Sequence, residues 1–93
     1  MSAKSEVAMY ERRIRIPDGV DLHARPAGTL IRAAAQYQSS ITLTAGAKTA
    51  DAKSILQVLG LGATGGTEIT ISTAGADASD ALDAIAELLE RLA

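Results

Sequence analysis

The sequence predicts an α+β fold in which an antiparallel sheet is covered on one face by amphipathic helices. Two observations carry this. Apolar residues alternate with polar ones in four short stretches, the period of a half-buried strand, and recur every three to four residues in three others, the period of a helix facing a core. The stretches fall in the order β-α-β-β-α-β-α, whose mixed succession and short turns favour antiparallel pairing with helices on one side. Ninety-three residues suit a single small domain. Only Tyr10 and Tyr37 are aromatic, although 47% of the chain is apolar, so the core is built from Ala, Leu, Ile and Val.

Residues 1 to 9 read as a flexible tail, leaving a domain over 10–93. "RRIRI" places Ile14 and Ile16 on one face and Arg13 and Arg15 on the other, and "PDG" at 17 to 19 ends that strand with turn residues. After His23 the period changes. Ala27, Leu30, Ile31, Ala34 and Tyr37 share one helical face, and Arg32 and Gln36 lie on the opposite one. Pro26 suits the first turn of this helix, where a missing N–H is no loss. "SITLTAG" sets Ile41, Leu43 and Ala45 inward, Gly46 turns, and "KTADA" closes a hairpin. Ser54 and Gln57 have the spacing of a capping box, opening a short helix that stops near Gly60 and Gly62. "TEITIST" is a further strand, with Ile69 and Ile71 inward. Asp77 then caps the last helix, with Asp80 in its first turn and an apolar stripe of Leu82, Ile85, Ala86, Leu89 and Leu92. The acidic residues Asp77, Asp80, Asp83, Glu87 and Glu90 read as its solvated face.

Composition removes several classes of function. No cysteine is present, which excludes disulfides and thiolate metal sites, and a single histidine argues against a His-based zinc site. A formal charge of −2 without a basic run argues against nucleic-acid binding. No apolar stretch reaches membrane-spanning length and "MSAKSEVAM" lacks a signal-peptide centre, so a cytoplasmic protein is expected. There is no P-loop and no second histidine for a self-contained kinase or hydrolase.

The single histidine is the informative residue. By itself, a histidine at a helix start is an ordinary cap or surface residue. Here its neighbours add a function. The first amides of a helix have no intrahelical partner and carry partial positive charge, so the N–H groups of Ala24 and Arg25 suit a phosphate, and the Arg25 guanidinium adds a fork matched to its oxygens. The same positive groups favour the neutral imidazole, whose lone pair is nucleophilic. His23 therefore reads as a temporary seat for a phosphoryl group. The second helix adds a surface: Ile55, Leu56, Val58, Leu59 and Leu61 surround Gln57, more apolar sides than a short surface helix can bury, which marks a docking face that Arg32 would rim with charge.

"LHARPAG" at 22–28 and "AKSILQVLGLG" at 52–62 resemble the two signature motifs of HPr, the histidine phosphocarrier family of the sugar phosphotransferase system. The resemblance runs from about Met9 to the end of the chain. It implies an open-faced β-sandwich of four antiparallel strands under three helices. It further implies phosphorylation of His23 at Nδ1, with Arg25 stabilising the phosphate, and modification of Ser54 by HPr kinase/phosphorylase in bacteria that possess it. Ile55, Leu56, Leu59 and Arg32 would dock partners, with enzyme I as phosphoryl donor and IIA domains as acceptors. The implied protein binds no metal, nucleotide or other cofactor, and a monomer is expected. The alternatives are a nitrogen-related phosphotransferase carrier with regulatory duty and a regulatory binding module without phosphoryl chemistry, the latter weakened by the presence of His23. One position departs from the family pattern. Asp21 stands where the family usually has Gly, so that the backbone loses freedom and a carboxylate opposes the effect of the helix end on the ring.

Overall fold

The computed structural model describes residues 8–22 and 24–92. Four strands, β1 (Met9–Arg15), β2 (Ser40–Ala45), β3 (Lys48–Asp51) and β4 (Glu68–Ala74), and three helices, α1 (Ala24–Ala34), α2 (Ile55–Gly60) and α3 (Ala78–Glu90), follow in the order β1-α1-β2-β3-α2-β4-α3. The sheet has the order β1-β4-β2-β3 and every pairing is antiparallel. Ile14 faces Ile69 across β1 and β4, and Leu43 faces both Ile71 of β4 and Ala50 of β3. These side chains, with Ile16 and Ile41, form the floor of the core. Leu30 of α1, Val58 of α2 and Ile85 and Leu89 of α3 close it from above. The opposite face of the sheet carries Thr42, Thr44, Thr70 and Ser72, each only half-buried. Period-2 alternation thus divides each strand between an aliphatic core and a hydroxyl-rich outer surface.

The element order and the inward residues agree with the sequence pattern, and the boundaries refine it. β1 begins at Met9, paired with Ala74, so the first strand takes in the last residue assigned to the tail. α1 ends at Ala34, and Tyr37 lies in the turn beyond it, half-buried against the core. Lys53 fastens this turn by donating from Nζ to the Tyr37 carbonyl at 2.7 Å.

Two capping expectations need correction. Ser54 is the N-cap of α2, and its Oγ accepts the Gln57 N–H at 3.3 Å. Gln57 does not return the bond to Ser54. The Ser54 N–H already donates to the Asp51 carbonyl, and Gln57 Oε1 instead accepts the Asp51 N–H at 2.9 Å. Asp77 occupies the N-cap position of α3 without a side-chain capping bond. Its carboxylate is drawn outward to a neighbouring loop, accepting from the Gln38 N–H (2.9 Å), the Ser39 N–H (2.9 Å) and the Ser39 hydroxyl (2.5 Å). These donors, the Ser39 hydroxyl first, hold its pKa down from 3.8 to about 2. Gly75 makes the clasp possible, because a Cβ there would lie 2.6 Å from Ser39 Oγ.

Candidate functional site

The candidate site is assembled where the turn leaving β1 runs into α1. Ile16 and Leu22, both buried, fix the two ends of that turn in the core. Backbone bonds then fasten it to the loop between α2 and β4: the Ile16 N–H donates to the Thr67 carbonyl (2.9 Å), the Gly66 N–H to the Ile16 carbonyl (2.8 Å) and the Leu22 N–H to the Ala63 carbonyl (2.9 Å). The two segments meet closely. A Cβ at Gly65 would fall 2.6 Å from the Gly19 backbone nitrogen, so only glycine fits there. Asp21 adds a side-chain link, its Oδ1 accepting the Gly65 N–H at 3.3 Å. No non-glycine residue among those described, Asp21 included, has positive φ. The replacement of the usual glycine by Asp21 therefore sets no backbone strain.

α1 starts at Ala24. Helix geometry leaves the Ala24 and Arg25 amides without intrahelical acceptors, and Pro26 contributes none. Arg25 is exposed, and among the described residues no carboxylate pairs with its guanidinium. This helix start thus offers free backbone donors and a free cationic fork in one turn, a suitable setting for an anion. His23 lies outside the described residues. Its flanks are fixed, since Leu22 on one side and Ala27 on the other are anchored in the core.

α2 packs beside α1 and against β3. It buries a single side chain, Val58, while Leu61 just beyond its end is also buried. Ile55, Leu56 and Leu59 remain exposed, Leu56 by 79%, as the excess of apolar residues predicts. Arg32 is exposed on α1, and its guanidinium folds back along the helix, with one nitrogen 3.6 Å from where a Gly28 Cβ would stand. Ser54 is half-buried at the start of α2. The fold therefore brings the helix carrying Arg25 and Arg32 beside the helix carrying the three exposed apolar side chains. Sequence reasoning missed the 63–67 loop as a support for the site. The available signal was the paired glycine in "TGGT", which marks a close backbone approach. Among the described residues no helix is long and apolar enough to cross a membrane, and no group of three His, Cys, Asp or Glu side chains gathers to hold a metal ion.

Comparison with known proteins gives this architecture a family. The PTS-HPr profile, described as the PTS HPr component phosphorylation site, matches residues 10–91. The phosphocarrier protein HPr of Vibrio cholerae is 36% identical over 84 residues, covering 90% of this chain and 99% of its own. HPr of Mycoplasma capricolum is 43% identical over 74 residues, covering 80% and 83%. The crystal structure of an HPr from Bacillus anthracis superposes with a TM-score of 0.84 at 35% identity, covering 88% of this chain and 98% of that one. It shares the open-faced sandwich of four antiparallel strands under three helices. With both signature motifs, the fold and the family match in agreement, the chain belongs to the HPr family of phosphocarriers of the phosphotransferase system.

Proposed function

We propose that His23 is the phosphoryl acceptor, receiving the group from phosphorylated enzyme I and passing it to IIA domains of sugar permeases. The observation that carries this reading is the start of α1. Two amides at Ala24 and Arg25 that helix geometry leaves without intrahelical acceptors, and an Arg25 guanidinium with no carboxylate partner among the described residues, follow directly on the only histidine of the chain. In the transfer, the neutral ring nitrogen attacks phosphorus and a new N–P bond forms. The bond to the donor breaks, and its electron pair stays on the donor. The three equatorial oxygens carry the charge at that moment, and donors already pointed at them lower the barrier. The reverse step onto a IIA domain uses the same groups.

Docking falls to Ile55, Leu56 and Leu59 on α2, with Arg32 at the rim, because exposed aliphatic side chains next to a reactive turn let partners dock there transiently. Ser54 serves as regulatory phosphorylation site where HPr kinase/phosphorylase is present: a phosphate there would add about −1.5 to −2 charges beside the apolar patch. The protein acts as a monomer in the cytoplasm.

Incubation with enzyme I and phosphoenolpyruvate, followed by mass measurement, tests the reading. One acid-labile, alkali-stable phosphoryl group should appear, His23→Ala should take none, and Arg25→Ala should take it slowly on an intact fold. Label persisting in His23→Ala would remove the assignment.

A further inference from the structure

The turn at 16–22 and the loop at 63–67 are held together by two kinds of bond. Those of Ile16 and Leu22 run from backbone to backbone and survive any change of side chain other than to proline. The bond from the Gly65 N–H to Asp21 Oδ1 depends on the side chain at position 21 alone. Among the described residues, it is the one hydrogen bond between these segments made by a side chain of the turn. A glycine at position 21 would supply no such atom.

We infer that Asp21 is a positioning residue for phosphoryl transfer, acting by holding the chain entering α1 against the Gly65 amide. The inference rests on the reading of His23 above. Leu22 and Asp21 are the last described residues before His23, and each is tied to the 63–67 loop, one by its N–H and one by its carboxylate. Fixing two successive residues fixes the direction in which the chain enters the helix. Transfer rates depend steeply on such placement, because a displacement of about 1 Å can cost up to about a hundredfold. The bond also fixes the carboxylate's charge on the Gly65 side of the turn. The position tolerates substitution cleanly, since Asp21 is exposed and its backbone needs no positive φ.

Two variants separate the hydrogen bond from the charge. Asp21→Asn keeps the Oδ1 acceptor and removes the charge, whereas Asp21→Ala removes both. Amide exchange at Gly65 and Leu22 and steady-state phosphoryl acceptance from enzyme I would be measured on each. Asp21→Ala should speed exchange at both amides and lower kcat about three- to tenfold. KM should hold, because the apolar face of α2 is untouched. Asp21→Asn should restore most of both readouts. Parental kcat in Asp21→Ala would overturn the inference, as would an Asp21→Asn chain as slow as Asp21→Ala, since the charge would then be the active feature. The exchange measurement involves no phosphoryl chemistry. Label found on His23→Ala in parallel would overturn the acceptor reading itself, a result distinct from failure of the Asp21 arm.

Discussion

Helices α2 and α3 are both rich in aliphatic residues, and they spend them differently. α3 runs for 13 residues and buries Ala78, Ala81, Leu82, Ile85, Ala86 and Leu89, with acidic residues kept to the outside. α2 has six residues, buries only Val58 and leaves Ile55, Leu56 and Leu59 in solvent. Composition alone does not distinguish the two. Length and placement do. α3 lies across β1, β4 and β2, where a long stripe finds core to cover, whereas α2 touches the edge strand β3 and the flank of α1. Apolar residues on α3 are therefore spent on the core, whereas on α2 only Val58 is, and Ile55, Leu56 and Leu59 stay at the surface.

The comparison predicts its largest effect in α3. Leu89 is fully buried, and Leu89→Ala should cost about 2–5 kcal/mol through lost transfer energy and the cavity left behind. Urea unfolding would measure it. Leu56→Ala, the matching change in α2, should move stability by no more than about 0.5 kcal/mol. Equal losses at both positions would erase the distinction drawn here.

A second difference lies at the helix starts. α3 is moored to the 38–39 loop by the Asp77 carboxylate, while Ser54 of α2 caps its own helix. The Asp77 pKa falls on folding, from 3.8 to about 2, so its carboxylate form is favoured in the folded state. Its contribution is fully present above pH 3.8 and is lost as pH falls towards 2. The urea midpoint should therefore drop across that window. In Asp77→Asn the starting midpoint should be lower and the drop across the same window smaller, which comparison of the two acid titrations would check.

Leu56→Asp should weaken association with enzyme I about tenfold, the scale of losing one well-placed apolar contact, while the melting temperature stays near that of the parent. Chemical-shift mapping of enzyme I onto the Thr42–Ser72 face of the sheet would break the assignment of function to α2.

What the sequence made legible was local. The strand alternation around Ile41 and Leu43 and the stripe from Leu82 to Leu89 depend on residues a few places apart, and the fold follows them. The two exposed apolar positions on α2 beside Leu56 were also legible, because a six-residue helix has too few neighbours to hide four aliphatic side chains. Choices among distant partners were not. Asp77 has the right identity for a cap, yet three donors from residues 38 and 39 outbid its own helix, and only the folded chain brings them within reach. Gln57 likewise turns to Asp51 once Ser54 has found the Asp51 carbonyl. At the site, the motif around His23 was plain in one dimension, but the loop that supports it, with Gly65 pressed onto Gly19, comes from more than forty positions downstream.

The smallest effect, and the one that sharpens the comparison most, is at Ser54. Its Oγ makes one capping bond, 3.3 Å to the Gln57 N–H, on a helix held mainly by Val58 and by the Gln57–Asp51 bond. Ser54→Ala should therefore sit near the low end of the usual range for a lost cap, about 0.5 kcal/mol. Ser54→Asp keeps an oxygen at the same place and adds a negative charge favourable to a helix start, so its unfolding midpoint should match the parent's. That charge stands next to Ile55 and Leu56, where desolvation on docking makes it unwelcome. Phosphoryl acceptance at His23 from enzyme I should fall in Ser54→Asp and stay parental in Ser54→Ala. This pattern separates the capping role from the proposed regulatory one: the alanine reads the cap and the aspartate reads the surface. Parental transfer in a stable Ser54→Asp chain would leave Ser54 as a cap and nothing more, and would move the regulatory charge away from the start of α2.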